Sequence, residues 1–581
     1  MKKGISLLLS LVLLLALCTG AQAQMQAGTF SATATGRNGD VTVEVVVSGD
    51  AIESVAVTAH QETAGIADAA IESIPEKIVS GQTLAVDVIS GSTLTSEAIL
   101  AAAEAALTQA GADIQALKTP VVQEPAVAIE DMDTQVLVVG SGLAGLAAAV
   151  SAREAGAEVI VVEKLSMTGG TSRLSGGGIA APGSHLQKEA GIEDSPMAYV
   201  NQWMRYQSLT DRPDNGSPNR ERAIFLAERG AELIEWLEAH GYEFGAPTSF
   251  GLIEGVDRFH YPSNLPAGQT GKMTELAEAA GAMILLDTRA VELLMDGDAV
   301  VGAKMEKDGQ TFSIHADAVI LATGGYSYNE ELIARLTPEN LSTIHVASPG
   351  STGDGLLMAE AVGAALYENQ WLMGMSYAVS TDPTCTLNQL GGPWSVNMMV
   401  DCTGERFMNE FAHPNAYTNM VTRAAGPYYS IYDSADEAKA AILAQNEGSE
   451  YLVKGETLEE LAANAGFDAE VFIGWVQNWN NGIKSGSDAF GAKVDYMSTL
   501  SVGPFYAVKM TPQNMDSMGG IVTDLQAQVL RADGSAIDGL YAAGAISNGE
   551  LYDTAYMSGS AVLNCYVMGR IAGENAAARA K

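Results

Sequence analysis

At 581 residues, 47% hydrophobic and 17% charged, the chain has the composition of a globular protein large enough for three or four domains. Its 70 acidic residues against 31 basic ones give a formal net charge of −39. A surface that acidic repels phosphate backbones and anionic headgroups, so neither nucleic acid nor polybasic membrane docking is expected.

Lys2 and Lys3, an apolar run from Ile5 to Ala16, and Ala21-Gln22-Ala23 form a secretory signal pattern over residues 1–23, with release expected after Ala23. Cys18 opens a lipoprotein alternative, but Leu17 stands where a small residue would be wanted before it. The pattern predicts an exported, extracytoplasmic protein, at the cell surface or in a periplasm. Association with the membrane is left open. Beyond the signal only Cys385, Cys402 and Cys565 remain, with no C-x-x-C-H and no Cys/His cluster. That makes no disulfide framework and no metal site, so any electron transfer would need an organic cofactor.

Residues 24–115 alternate short β-rich runs (Val41–Val47, Ile52–Thr58) with an Ala-rich helix over Glu97–Ala110. Residues 116–130, with Pro120 and Pro125, read as a linker. From residue 131 the rhythm becomes strand, glycine turn, helix, strand, as in a doubly wound α/β domain.

The β run Gln135–Val139 leads into Gly140-Ser141-Gly142-Leu143-Ala144-Gly145, then a helix and a second strand ending in Glu163. Gly140 permits the tight turn, Gly142 lets the backbone approach a pyrophosphate, and Gly145 lets helix and strand pack closely. The helix N-terminus offers free N–H groups to the phosphates, and Glu163 is placed to accept from a ribose diol. A second glycine-rich stretch follows, Thr168-Gly169-Gly170-Thr171-Ser172 and Ser175-Gly176-Gly177-Gly178. A nicotinamide domain rarely needs it; an FAD held along its whole length does. Ala318–Leu321 into Ala322-Thr323-Gly324-Gly325, and Gly539–Gly544, are further strand–turn returns. Gly559-Ser560-Ala561 opens a final helix that could aim N–H groups at the flavin O2 edge.

These landmarks, with Thr352-Gly353-Asp354-Gly355, Gly404–Glu410 and Met518-Gly519-Gly520, resemble the flavoprotein family of soluble fumarate reductases, urocanate reductases and 3-ketosteroid dehydrogenases from Thr134 to the C-terminus. The resemblance implies a split FAD-binding domain over residues 131–365 and 506–581, with an inserted α+β capping domain at 366–505. It implies non-covalent FAD held by Gly140, Gly142, Gly145, Glu163, Lys164, Gly169, Gly170, Thr171, Ser172, Gly177, Val291, Ala322, Thr323, Gly324, Asp354, Gly544, Ser560, Ala561 and Val562. Ala545 departs from the family's usual Glu after the last turn. Nearer the N-terminus, Ser90-Gly91-Ser92-Thr93, Asp87 and His60–Gly65 resemble a small α+β FMN-binding domain in which FMN is attached covalently to a threonine hydroxyl, here Thr93. Ser92 stands where that box usually has Ala. The alternative is a plain Ser/Thr-rich turn with Thr95 capping the next helix.

The family implies electron flow from a membrane-bound donor through FMN to FAD, then to a C=C bond of a small-molecule substrate, with a flavin transferase attaching the FMN. The dicarboxylate clamps of the carboxylate-reducing relatives are replaced by Met373-Gly374-Met375-Ser376, Ala412-His413-Pro414-Asn415, Met515-Asp516-Ser517 and Ala555-Tyr556-Met557-Ser558. What remains is neutral and aromatic: Tyr556, Tyr417, Tyr377, Met373, Met375, Trp371 and Trp394. An enone-like, non-dicarboxylate acceptor is therefore expected, with Tyr556 polarising its oxygen, Tyr417 or His413 donating the proton, and Asp516 a further catalytic candidate. Arg406 is expected to be structural, paired with Glu410. The alternatives are a urocanate- or acrylate-type reductase, a ketosteroid-type dehydrogenase running oxidatively, and an electron carrier without turnover.

Overall fold

The computed structural model describes residues 25–62, 67–89, 92–119, 128–207, 218–249, 255–265, 268–382, 385–391, 397–411, 426–552 and 556–581. They form two compact units, Met1–Val127 and Ala128–Lys581.

In the first unit the strands Gly28–Thr35, Asp40–Val47 and Ile52–Ala59 make an antiparallel sheet in that order. Val41, Val43, Val45 and Val47 alternate toward one face and are buried there. They pack on Ile74 and Ile78 of the helix Asp68–Gly81 and on Ile99, Ala102, Ala106 and Leu107 of the helix Thr93–Gln109. The second helix starts at Thr93, with Ser92 as its N-cap residue. Thr95 does not cap it: its hydroxyl donates to the buried carboxylate of Glu62, which also accepts from Asn38 N at 2.8 Å. Leu84 N donates to Leu117 O at 2.8 Å, so the chain stays tied to this unit past residue 116, where the linker was expected to begin.

The second unit is built on an eight-stranded sheet whose centre is parallel. Its central strands run in the order Ala536–Ala542, Gln310–Leu321, Met132–Val139, Val159–Val162 and Met283–Leu285. Such strands are apolar on both faces. Val136 and Val138 enter one core, with the helices Leu143–Glu154 and Ser560–Arg579. Leu137 and Val139 enter the other, with Leu293, Val300, Met305 and Phe312 of an antiparallel extension. A Cβ at Gly569 or Gly573 would lie 2.4 or 2.2 Å from the carbonyl oxygen of Ala144 or Ala148, so the two helices touch backbone to backbone. Strands early and late in the sequence thus share one sheet.

A second, six-stranded sheet forms around the 14-residue strand Phe505–Met518. Its N-terminal half pairs with Tyr428–Tyr432 and Leu452–Gly455, and its C-terminal half with Trp371–Ala378. One strand therefore leads from this sheet directly to the Met518-Gly519-Gly520 turn. Arg406 locks the periphery: it pairs with Glu410 (2.8 Å) and Asp488 (2.5 Å), all three side chains buried, and lies over the Trp479 ring. That is a structural role. Among the described residues no helix is long and apolar enough to cross a membrane, and no group of side chains could hold a metal ion.

Candidate active site

A cleft opens at the C-terminal ends of the parallel strands, where open α/β sheets bind ligands. Gly140, Gly142, Glu163, Lys164, Gly170, Thr171, Ser172, Ala322, Thr323, Gly324, Asp354 and Gly544 line it. Gly140 adopts φ +102°, and a Cβ there would lie 2.4 Å from Ala322 O. A Cβ at Gly145 would lie 2.0 Å from Gly140 O. These two glycines serve the packing beneath the turn. Gly142 is different: a Cβ there meets nothing nearer than Ser172 Oγ at 3.7 Å, so its open side faces the cleft. It precedes the helix Leu143–Glu154, which it cannot cap with a side chain; Leu143 N donates to Ser172 Oγ at 3.3 Å, and the helix N-terminus lies on the cleft.

One further observation fits a bound dinucleotide. Glu163 lines the cleft with Thr323, which turns its hydroxyl toward Gly355. Glu163 is held rigid by Ser141 N (3.0 Å), Ser141 Oγ (2.7 Å) and Leu165 N (3.0 Å), which leaves one of a carboxylate's four lone-pair sites for a ligand. At the same wall Asp354 accepts from Lys164 Nζ (3.1 Å) and from Arg289 Nε and one terminal nitrogen (2.9 and 3.1 Å). Burial opposes its ionisation, but these partners outweigh burial and hold its carboxyl below the ordinary range. Arg289 was not foreseen from the sequence; it comes from the strand Arg289–Asp296, next to Thr288 and Ala290, which also line the cleft.

Deeper in the cleft sit Asp516 and Cys565. Burial raises Asp516 to about 6, despite hydrogen bonds from Ser517 N, the Thr171 hydroxyl and Gly325 N, and it lifts the Cys565 thiol to about 12. The folded state therefore holds the Asp516 proton more tightly than the unfolded chain does. Its contribution to stability falls as pH rises from about 4 to about 6, by ~3 kcal/mol in all. Asp516→Asn should raise the thermal unfolding midpoint at neutral pH and leave it nearly unchanged near pH 4. A pH series of melting curves checks this, and equal shifts at both ends would contradict it.

The glycine cleft matches a known sequence family. Residues 135–563 match the FAD binding domain family, and residues 36–108 match the FMN-binding domain family. The urocanate reductase of Eggerthella lenta is 33% identical over 95% of this chain and 92% of its own. An open-conformation flavocytochrome c3 fumarate reductase superposes with a TM-score of 0.60 at 30% identity, covering 77% of this chain and 79% of that one. The 3-ketosteroid-Δ4-(5α)-dehydrogenase of Rhodococcus jostii, with 4-androstene-3,17-dione bound, gives 0.61 at 25% identity, over 78% and 98% of the two chains. The chain belongs to the fumarate reductase, urocanate reductase and 3-ketosteroid dehydrogenase flavoprotein family. It is a flavin-dependent reductase acting on C=C bonds, with an N-terminal FMN-binding domain.

Within this flavoprotein, several expected cofactor residues lie just behind the cleft wall. Gly169 bridges to Gly142, Gly177 is gripped by Gln269, and Val291 is half-buried one residue beyond Ala290. Ser560 donates its N–H to Met557 O at 3.2 Å and shares its hydroxyl with Tyr552 at 2.7 Å, so protein groups already engage it at the start of the last helix. Ala561 and Val562 follow it in that helix's first turn. Thr93 is exposed at the first position of its helix, above the buried Ser92, Thr95 and Ser96. Tyr556 is half-buried and packs on Tyr552, with ring centroids 5.5 Å apart. Tyr552 in turn stacks on Trp203, which donates to Leu551 O at 2.9 Å, while Tyr199 donates to Ser558 O at 3.2 Å. The helix Pro196–Gln207 thus fixes the segment that carries Tyr556. His413, Tyr417 and Trp394, and the side chains of Met375 and Tyr377, lie outside the described residues.

Proposed function

We propose that this flavoprotein is an exported reductase, released after Ala23, that saturates the C=C bond of a small, neutral, enone-like acceptor. Its electrons would come from a membrane-bound donor, through FMN attached at Thr93 by a flavin transferase and FAD seated in the glycine cleft. When bound, the flavins supply the redox chemistry, with hydride delivered to the activated double bond. The chain's own residues do the rest. Gly142 and the helix it starts hold the pyrophosphate, Glu163 the ribose, and Lys164, Thr171, Ser172, Thr323 and Asp354 the remaining polar edges. Tyr556 donates to the acceptor's carbonyl oxygen and stabilises the enolate that forms there, and Tyr417 or His413 delivers the proton.

The observation that carries the neutral acceptor is the surrounding of Tyr556. It is apolar and buried: Trp371, Met373, Met518 and Tyr552 belong to the core cluster on which Tyr556 packs. Among the described residues, Arg222 pairs with Thr523 O (2.9 Å) and Glu550 (3.3 Å), and Arg258 with Asp194 (2.9 Å). A carboxylate placed against that apolar surface with no cation beside it would be desolvated at a cost of roughly several kcal/mol. The second reading, an acceptor carboxylate of the urocanate type, is favoured by the similarity to urocanate reductase over 95% of the chain.

Tyr556→Phe tests the assignment. It keeps the ring packing on Tyr552 and removes the donor. The enone-reducing kcat should fall roughly 100-fold with FAD content unchanged, the scale of losing one donor to a developing oxyanion. An unchanged kcat would contradict it.

A further inference from the structure

We propose that Tyr199 is a positioning residue for Tyr556, holding the stretch that carries it so that its hydroxyl meets the oxygen of the acceptor. This assignment rests on the Tyr556 reading above. Tyr199 and Trp203 stand four residues apart on the helix Pro196–Gln207, so they share a face, and both are fully buried. Each commits its polar atom to a backbone carbonyl of one short stretch of chain. The indole N–H of Trp203 donates to Leu551 O at 2.9 Å, before Tyr556, and the hydroxyl of Tyr199 donates to Ser558 O at 3.2 Å, after it. One helix therefore holds the chain on both sides of the phenol.

The support behind Tyr199 is itself fixed. Its ring packs on Trp203 with centroids 5.6 Å apart, and the Arg258 guanidinium lies 4.7 Å from its ring centre. Arg258 is held by Asp194 at 2.9 Å through both Nε and a terminal nitrogen, with both side chains 1% exposed, and it also donates to Gln202. On the other side Trp203 stacks on Tyr552, whose ring lies 5.5 Å from that of Tyr556, and Asn369 donates to Tyr552 O at 2.6 Å. Before Tyr556 the chain is thus held by two side-chain donors, Trp203 and Asn369; after it Tyr199 holds Ser558. Without the Tyr199 hydroxyl, Ser558 is free to shift, and Tyr556, two residues away, shifts with it. A misplacement near 1 Å at a reacting group costs up to about 100-fold in rate.

Tyr199→Phe keeps the ring against Trp203 and Arg258 and deletes only the hydroxyl. In the FAD-loaded full chain, with benzalacetone as the neutral enone, kcat should fall about 10-fold while KM and FAD content stay nearly unchanged. A double-mutant cycle with Tyr556→Phe separates aim from general support. Once the Tyr556 hydroxyl is gone there is nothing left to aim, so Tyr199→Phe should bring no further loss in that background. An equal loss in both backgrounds would overturn the assignment, because a merely structural contact acts whether or not the phenol is there. An unchanged kcat in Tyr199→Phe beside a large loss in Tyr556→Phe would also overturn it and leave the Tyr556 reading standing. An unchanged kcat in Tyr556→Phe would overturn that reading and this assignment together. Should Tyr199→Phe not fold, Trp203→Phe, which removes the donor on the other side of Tyr556, takes its place in the cycle, and the same results decide.

Discussion

Thr93→Ala should yield a protein with no covalent flavin, full FAD content and donor-driven activity at background. Attachment needs a hydroxyl that a transferase can reach, and Thr93 is exposed at the first position of the helix Thr93–Gln109. The neighbouring hydroxyls are not equivalent. Ser92 is 4% exposed, Thr95 is committed to Glu62, and Ser96 accepts from Ile89 N at 3.0 Å while donating to Ser92 O at 2.9 Å. Alanine is a good helix former, so the helix itself should survive the change. Intact mass of material matured in its native host, with in-gel fluorescence after denaturation, reads the outcome. Thr93→Ser should restore part of the label. A Thr93→Ala protein that still carries covalent FMN would place the attachment elsewhere.

Gly142→Val should give a folded chain that retains no FAD through desalting and has no reductase activity. The backbone at Gly142 is extended (φ −67°, ψ 176°), which a β-branched residue adopts without strain, and its Cβ would meet no atom closer than 3.7 Å. The added methyls would instead occupy the open side of the turn, where the pyrophosphate must approach. Losing even one or two charge-assisted hydrogen bonds at the helix N-terminus should weaken FAD by roughly 3 kcal/mol, about 100-fold or more. Gly145→Val is the control. Its Cβ would overlap Gly140 O, so it should lower the unfolding midpoint as well as FAD content. If both variants lost FAD and stability together, Gly142 would be a packing glycine only.

The cofactor cleft was largely legible because its signal is local. Gly140, Gly142, Gly145 and Glu163 fall within one strand–turn–helix–strand unit, and spacing alone places them together. What escaped the sequence depends on partners distant along the chain. Arg289 reaches Asp354 from 65 residues away, and no short motif announces it. Thr95 looks like a helix cap in local terms, yet Glu62, 33 residues upstream, takes its hydroxyl and the helix starts two residues earlier. The near-neutral Asp516 follows from burial within the strand pair, which composition cannot show. Tyr199 belongs to no motif. Only the finished packing brings its hydroxyl to Ser558, 359 residues further along the chain.

The most direct measurement of where the electrons leave is anaerobic stopped-flow reoxidation of the fully reduced, two-flavin protein with benzalacetone, urocanate, acrylate and fumarate in parallel. Rapid reoxidation by the neutral enone and none above background by fumarate are expected. Faster reoxidation by fumarate or urocanate than by the enone would contradict a neutral acceptor.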